Sequence, residues 1–256
     1  MIDTHCHIYL PEFEADIDAV IGRAEEAGVK KFYLPAIDSN TNEAMFKLEE
    51  RFPGKCIAMA GLHPCYVKEN YEDELKVVAD LLAKRKFAAI GEIGLDFYWD
   101  KTFTSQQYKA LEIQVSWALQ YHLPIVLHTR NATMETFEAI KQHCSSGLKG
   151  VFHCFGGSLE EARIITEAGF LLGIGGVVTY KNAGLAETLR EIDLKHLVLE
   201  TDAPYLTPVP HRGKRNESAY LRLIAQKIAD VKGCTIEEVE AVTTKNAGEF
   251  FANVEG

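Results

Sequence analysis

The sequence predicts an α/β protein with the (β/α)8 TIM-barrel fold, and three observations lead to this prediction. The 256 residues match the roughly 250 that one such barrel needs. Short apolar runs alternate with amphipathic segments of ten or more residues, as in a parallel sheet covered by helices. Polar residues suited to catalysis follow these runs, where barrel strands place the active site. We therefore expect one domain over residues 1–256, with its active site at the C-terminal ends of the strands.

The apolar runs supply eight predicted strands, and helical periodicity fills the segments between them. Clear helices are expected at 16–27, 106–121 and 159–168, each ending shortly before Gly or Pro. Seven intervening helices and a C-terminal helical region follow from this alternation. The predicted strands, in order, are 2–7, 31–36, 56–63, 87–96, 124–130, 150–157, 171–176 and 197–204.

An open doubly wound sheet would also use eight alternating strands. Polar residues end the first, fourth, fifth, sixth and eighth strands, and an open sheet could not bring all of these to one place. Closure of a barrel makes them converge. The polar residues at strand ends are His5, His7, His63, Glu92, Asp96, His128, Arg130, His153 and Asp202.

The composition is that of an ordinary globular protein with a large core, at 47% hydrophobic and 25% charged residues. No apolar run approaches the roughly 18 residues that cross a bilayer, and the strand pattern starting at Ile2 leaves no room for a signal peptide. Six cysteines without a CxxC pair indicate reduced thiols. Together these features predict a cytoplasmic protein without membrane association or an evident obligate protein partner.

Two cysteines adjoin histidines of interest. Because neighbouring residues of a strand point to opposite faces, Cys6 and Cys154 are predicted to pack away from the site.

The net charge of −10 and pI of about 5.4 argue against an extended basic surface that binds long nucleic acid. A nucleic-acid end could still enter a pocket where bound metal ions supply positive charge. Among nucleic-acid substrates, the charge therefore leaves open only chain ends and short oligonucleotides.

The first strand carries His5 and His7 two residues apart, so their imidazoles share one face and could clamp a metal ion. This spacing alone equally suits packed histidines. The fourth strand places Glu92 within an apolar run, where an unpaired charge would be costly. Either a buried Arg or Lys, or two metal ions bridged by the carboxylate, would satisfy it.

Three further strand ends carry ligand-type residues: His128, His153 and Asp202. Each histidine alone could be merely hydrogen-bonded. Six such residues on five strands of one barrel are difficult to explain by packing, so together they predict a centre for two divalent ions. Four imidazoles suit Zn or Mn, while carboxylates and a phosphate substrate suit Mg or Mn.

The ordered motifs resemble those of the TatD-type metal-dependent deoxyribonucleases, within the amidohydrolase-like barrels, from Asp3 to the helix near Asn246. The resemblance implies that His5, His7 and Asp202 hold one ion, His128 and His153 the other, with Glu92 bridging. Glu92 stands where some relatives have a carboxylated lysine, which favours the TatD-like subgroup. The motifs are DTHCH at 3–7, GLHP at 61–64, GEIGLD at 91–96, HTR at 128–130, HCFGG at 153–157, ETDAPYL at 200–206 and PHRG at 210–213.

Substrate contacts are predicted at His63, Arg130 and Arg212, which could each meet a phosphate oxygen. A structural hydrogen bond for His63 and solvent-exposed roles for the two arginines remain alternatives. Asp96 and Glu200 are expected to orient metal ligands or to form ordinary ion pairs.

The predicted reaction is phosphodiester hydrolysis by a metal-activated water, with Asp202 orienting the water and accepting its proton. The resemblance implies 3'-5' exonuclease action on DNA ends, with single strands preferred. One alternative is hydrolysis of a small phosphoester, lactone or amide by the same metals. Another is a non-catalytic metal-binding or interaction protein.

Overall fold

The computed structural model describes residues 1–252 and confirms the predicted α/β fold. Eight parallel strands occur among these residues, each within a predicted apolar run. The strands are β1 (Ile2–Asp3), β2 (Lys31–Leu34), β3 (Cys56–Ala58), β4 (Ile90–Asp96), β5 (Ile125–Arg130), β6 (Gly150–Phe152), β7 (Leu171–Ile174) and β8 (Leu197–Leu199).

Most strands end before the predicted boundary. The ladder of β1 ends at Asp3, that of β6 at Phe152 and that of β8 at Leu199. Beyond β6 and β8 the backbone turns, with φ of 47° at Cys154 and 57° at Asp202. Several site residues therefore lie immediately after strands, where the chain is no longer held to strict alternation.

The strands follow one another around a ring. Regular pairing joins β1 to β2 to β3, and β4 through β8 in order. At the β3–β4 seam, the amide of Gly91 donates to the carbonyl of Ala60 at 2.8 Å. At the β8–β1 seam, the amide of Thr4 donates to the carbonyl of Leu199 at 3.0 Å. Residues from the first and last strands thus become neighbours.

In the part of the chain that the structure describes, one α-helix lies between each pair of consecutive strands, and two α-helices follow β8. The first shows why they form: Ile17, Val20, Ile21 and Ala24 are buried at helical spacing, and Gly28 follows with φ of 89°. Within residues 1–252, no helix is long and apolar enough to cross a membrane. The helices are α1 (Ile17–Glu26), α2 (Asn42–Arg51), α3 (Tyr71–Lys84), α4 (Thr104–Tyr121), α5 (Thr133–Ile140), α6 (Leu159–Glu167), α7 (Leu185–Glu191), α8 (Leu221–Lys232) and α9 (Ile236–Phe251).

The last helix closes the end of the barrel away from the predicted site. Tyr33 of β2 stacks on Phe251 with ring centroids 3.8 Å apart. Val126 of β5 lies in the same apolar cluster, and Val198 of β8 clusters with Ala247. The main core fills the layer between strands and helices. The open C-terminal ends of the strands are left for the site.

Candidate metal centre

A cavity of about 1140 Å³ opens at the C-terminal ends of the strands. His7, Glu92, His128, His153 and Asp202 line it. The sixth predicted ligand, His5, is fully buried and contacts Glu92. The fold therefore brings all six predicted ligand residues to one place.

One oxygen of the Glu92 carboxylate faces the histidines after β1. Glu92 Oε2 lies 3.1 Å from Nε2 of His5 and 3.5 Å from Nε2 of His7. The two imidazole Nε2 atoms are themselves 3.2 Å apart. Burial and the neighbouring His153 hold the pKa of His5 well below its usual range, so its ring is neutral and suited to metal binding.

The other oxygen of Glu92 faces a second group of histidines. Oε1 lies 2.8 Å from Nδ1 of His128, 3.3 Å from Nε2 of His63 and 3.8 Å from Nε2 of His153. Burial would raise the pKa of Glu92, but facing imidazoles, with His63 and His5 foremost, hold it well below its usual range. The carboxylate is therefore ionised and lies between two sets of nitrogen donors.

A buried Arg or Lys was the alternative partner for Glu92. Across residues 1–252, the basic groups within 4.0 Å of its carboxylate are all imidazoles. The ordinary salt-bridge explanation of Glu92 is therefore wrong.

Asp202 lies near histidines that face each of the two Glu92 oxygens. Its Oδ1 lies 3.6 Å from Nε2 of His7 and 3.8 Å from the Nε2 atoms of His5 and His153. Burial raises the pKa of Asp202 to about 6, although His153 and His7 act in the opposite direction. A carboxylate with such a pKa can accept a proton near neutral pH.

Two further carboxylates lie beside histidines of the site. Asp96 Oδ2 lies 2.8 Å from Nε2 of His128, and Glu200 Oε1 lies 2.9 Å from Nδ1 of His153. Burial would lower the pKa of His153, but Glu200, Glu92 and Asp202 raise it to about 10. Such carboxylate partners fix the orientation of metal-binding imidazoles.

Gly173 of β7 makes room for Glu200, a role that was not predicted from the sequence. A Cβ atom at this position would lie 2.2 Å from Glu200 Oε2. A glycine within a strand often marks such a close approach, so its position in the apolar run LLGIGG at 171–176 was the available signal.

The donor set fits divalent cations. His5, His7 and Glu92 can direct ligand atoms to one point, and His5, His153 and Asp202 form a second such group. Imidazoles together with carboxylates are suitable ligands for Zn, Mn or Mg.

His128 falls in a third group of possible ligands, with His63 and Cys65. The sequence motifs gave His63 no metal role and did not single out Cys65.

The predicted substrate residues differ in their placement. His63 lies in the cluster beside Glu92, and Arg130 lines the cavity. Arg212 is exposed with its guanidinium 4.1 Å from the Tyr180 ring centroid, and it is not among the residues that line the cavity. Within residues 1–252, neither arginine has a carboxylate within 4.0 Å.

The loop after β8 carries a basic cluster at 211–215, HRGKR, that is partly structural. Arg215, its last residue, binds Asp16 with both nitrogen–oxygen distances at 2.8 Å and lies over the ring of Phe13. Arg215 therefore ties the loop after β8 to the start of α1.

The two cysteine predictions have different outcomes. Cys6 is fully buried with its thiol directed at the carbonyl of Tyr33, away from the cavity as predicted. Cys154 lines the cavity, and the prediction for it was wrong. The physical reason is that β6 ends at Phe152 and Cys154 has φ of 47°, so strand alternation does not extend to it.

Residues 2–252 match the family model described as TatD related DNase. An uncharacterized metal-dependent hydrolase of Bacillus subtilis, YabD, is 36% identical over 98% of both chains. A 3'-5' ssDNA/RNA exonuclease, TatD, of Pantoea ananatis is 33% identical, over 98% of this chain and 99% of its own. Among solved structures, the TatD homologue YjjV of Escherichia coli superimposes with a TM-score of 0.93 at 29% identity, covering 98% of both chains.

Proposed function

This chain belongs to the TatD-related DNase family of metal-dependent hydrolases, and we propose that it is a 3'-5' exonuclease acting on single-stranded DNA ends. The similarity to the Pantoea ananatis exonuclease supports the nuclease activity. The acidic charge of −10 supports short or terminal substrates over long duplexes. We also propose a single domain and a cytoplasmic location.

The geometry of Glu92 is the observation that carries the proposal. Glu92 lines the cavity, with Oε2 facing His5 and Oε1 facing His128. In the proposed centre His5, His7 and Asp202 would hold one divalent ion, His128 and His153 would hold the other, and Glu92 would be a ligand of both. When bound, such ions acidify a water molecule and offset charge on the phosphate.

The chain's own residues have distinct roles in the proposed reaction. Asp202 accepts the proton of the attacking water, whose oxygen forms the new bond to phosphorus as the bond to the leaving oxygen breaks. In the proposed reaction His63, whose Nε2 lies 3.3 Å from Glu92 Oε1 in the structure, donates a hydrogen bond to a phosphate oxygen. Arg130 in the cavity lining and Arg212 beyond it attract the strand. Asp96 and Glu200 keep His128 and His153 in orientation.

A substrate panel tests the proposal. With Mg or Mn present, we expect purified protein to release mononucleotides from the 3' end of a labelled single-stranded DNA, more slowly from RNA or blunt duplex. Small phosphoesters, lactones and amides should react far more slowly at the same metal concentration. Preferential hydrolysis of a small ester or amide, with DNA left intact, would favour the alternative hydrolase. Metal binding without turnover of any substrate would favour a non-catalytic protein.

Loss of positive charge at the cavity mouth should weaken binding in a salt-dependent way. We expect Arg130→Ala to raise the KM for single-stranded DNA roughly tenfold at low salt, because a charged hydrogen bond to phosphate is lost. Arg212→Ala should have a smaller effect, since Arg212 lies outside the cavity lining. Both effects should shrink at high salt through screening.

Arg190→Ala is the matched control, because Arg190 is exposed near the end of α7, at the opposite end of the barrel. It removes the same charge. KM values for Arg130→Ala and Arg212→Ala that equal the control across the salt range would assign both arginines to the solvated surface.

A further inference from the structure

Three aromatic side chains line the cavity while remaining unusually exposed. Trp99 is 71% exposed, Tyr205 51% and Tyr66 45%. They come from the loops after β4, β8 and β3. Large apolar side chains grouped at a cavity mouth are a feature of binding sites, because exposure to water is unfavourable for them.

The loop that carries Trp99 is anchored to the metal-binding cluster. Asp96 Oδ1 accepts hydrogen bonds of 2.9 Å from the backbone amides of both Tyr98 and Trp99. The other oxygen of Asp96 contacts His128. These hydrogen bonds fix the backbone of Trp99 relative to His128, a proposed metal ligand. The indole itself is exposed and can contact a ligand.

The neighbours of Trp99 favour a ligand with both flat rings and negative charge. The Tyr98 ring meets Trp99 edge-on, with centroids 4.9 Å apart. The guanidinium of Arg130 lies 4.6 Å from the centroid of the same Tyr98 ring. A positive charge is thus held beside the exposed indole.

The two tyrosines stand beside different histidines of the cluster. The Tyr205 ring is 6.3 Å from the His7 ring, and the Tyr66 ring is 6.0 Å from the His63 ring. Aromatic faces therefore stand close to both histidine groups that surround Glu92.

Flat aromatic faces next to a phosphate-binding cation are how proteins hold unpaired nucleotides, because every base presents a face that can stack. Bases within a duplex are already stacked and paired, so they cannot offer these faces without being separated. The cavity is also larger than the upper range of about 1000 Å³ for small-ligand pockets, which gives room for more than a small ester.

We infer that Trp99 is a stacking platform for an unpaired nucleobase beside the scissile phosphate, with Tyr66 and Tyr205 as further walls for the strand end. This inference rests on the proposed function and deepens it. In this inference, the three aromatic residues make the protein prefer single strands over duplexes. The preference depends little on base sequence, because every base can stack.

A binding experiment can detect the contact between Trp99 and the base by fluorescence. The chain has two tryptophans, and Trp117 packs against the core, so Trp117→Phe leaves Trp99 as the single indole reporter. The metal-loaded variant is titrated with a single-stranded oligonucleotide whose terminal linkages are hydrolysis-resistant phosphorothioates. We expect its fluorescence to be quenched on binding, with much less quenching when the stacked nucleotide is abasic.

Kinetics on base-containing and abasic substrates complete the test. We expect Trp99→Ala to raise the KM for single-stranded DNA on the order of 10- to 100-fold, with Trp99→Phe close to the original protein. A series of substrates, each lacking the base at one position counted from the 3' end, should identify the stacked nucleotide. At that position the KM values of the original protein and of Trp99→Ala should be equal, since removing the base and removing the indole eliminate the same contact. Tyr121→Ala, an exposed aromatic at the end of α4, is the matched control.

The outcomes separate this inference from the function on which it rests. Cleavage of single-stranded DNA with a KM unaffected by Trp99→Ala, and no quenching on binding, would overturn the stacking role alone. Failure of the original protein to bind or cleave any oligonucleotide would overturn the exonuclease proposal and the stacking role together.

Discussion

Glu92→Gln is expected to give a folded protein that binds little metal and hydrolyses single-stranded DNA more slowly by a factor on the order of 1000 or more. The substitution keeps the shape of the side chain and removes its charge. Glu92 Oε2 faces His5 and its Oε1 faces His128, so an amide in its place would present one oxygen and one NH2 group. One of the two proposed ions would lose its oxygen ligand from residue 92.

Elemental analysis, circular dichroism and turnover should be measured on the same preparation. Glu112→Gln is the matched control, because Glu112 is an exposed carboxylate on α4 that contacts only His143 among the pairs found in residues 1–252. No Lys or Arg of that described range lies within 4.0 Å of Glu92, so the change should not leave a buried cation unpaired. A folded Gln variant with two bound metals and near-normal turnover would refute the bridging role.

Removal of divalent ions by a chelator is expected to abolish hydrolysis, and added Mg or Mn should restore it. Both activation of the water and neutralisation of the phosphate depend on the ions. Metal that binds the native state alone also stabilises it, by about 2.7 kcal/mol at a concentration 100 times Kd. For a chain of this size we therefore expect the Tm to rise by roughly 5–10 °C on metal addition.

Activity and Tm should be followed together in one metal titration. Restoration by Mg and Mn but not Zn would indicate that oxygen ligands dominate the working site. Full activity in excess chelator, with metal shown to be absent, would contradict the proposed mechanism.

Much of the fold was predictable because the sequence of a parallel barrel has a simple pattern. Strands buried on both faces are apolar runs, and all eight were found. Their ends were less predictable. Burial continues past Phe152 and Leu199, at His153, Glu200 and Thr201, although these residues no longer pair as strands. Cys154 was misplaced for this reason.

The site was predictable as a set of residues but not as an arrangement of atoms. Barrel topology alone brings His5 and Asp202 together across almost the whole chain. Which oxygen of Glu92 meets which histidine depends on the rotamers and on backbone turns such as φ of 57° at Asp202. The clearance that Gly173 gives to Glu200 depends on packing between strands. The exposure of Trp99 depends on a loop that carries no periodic signal.

The β8–β1 seam has a consequence for how this protein is made. His5 is translated long before Asp202 and the barrel-closing Phe251. Contacts so distant in the chain form late, so a growing chain holds His5 and His7 without Asp202. The proposed nuclease centre needs Asp202 from the loop after β8, so the growing chain cannot attack the nucleic acids around its own synthesis before β8 has been translated.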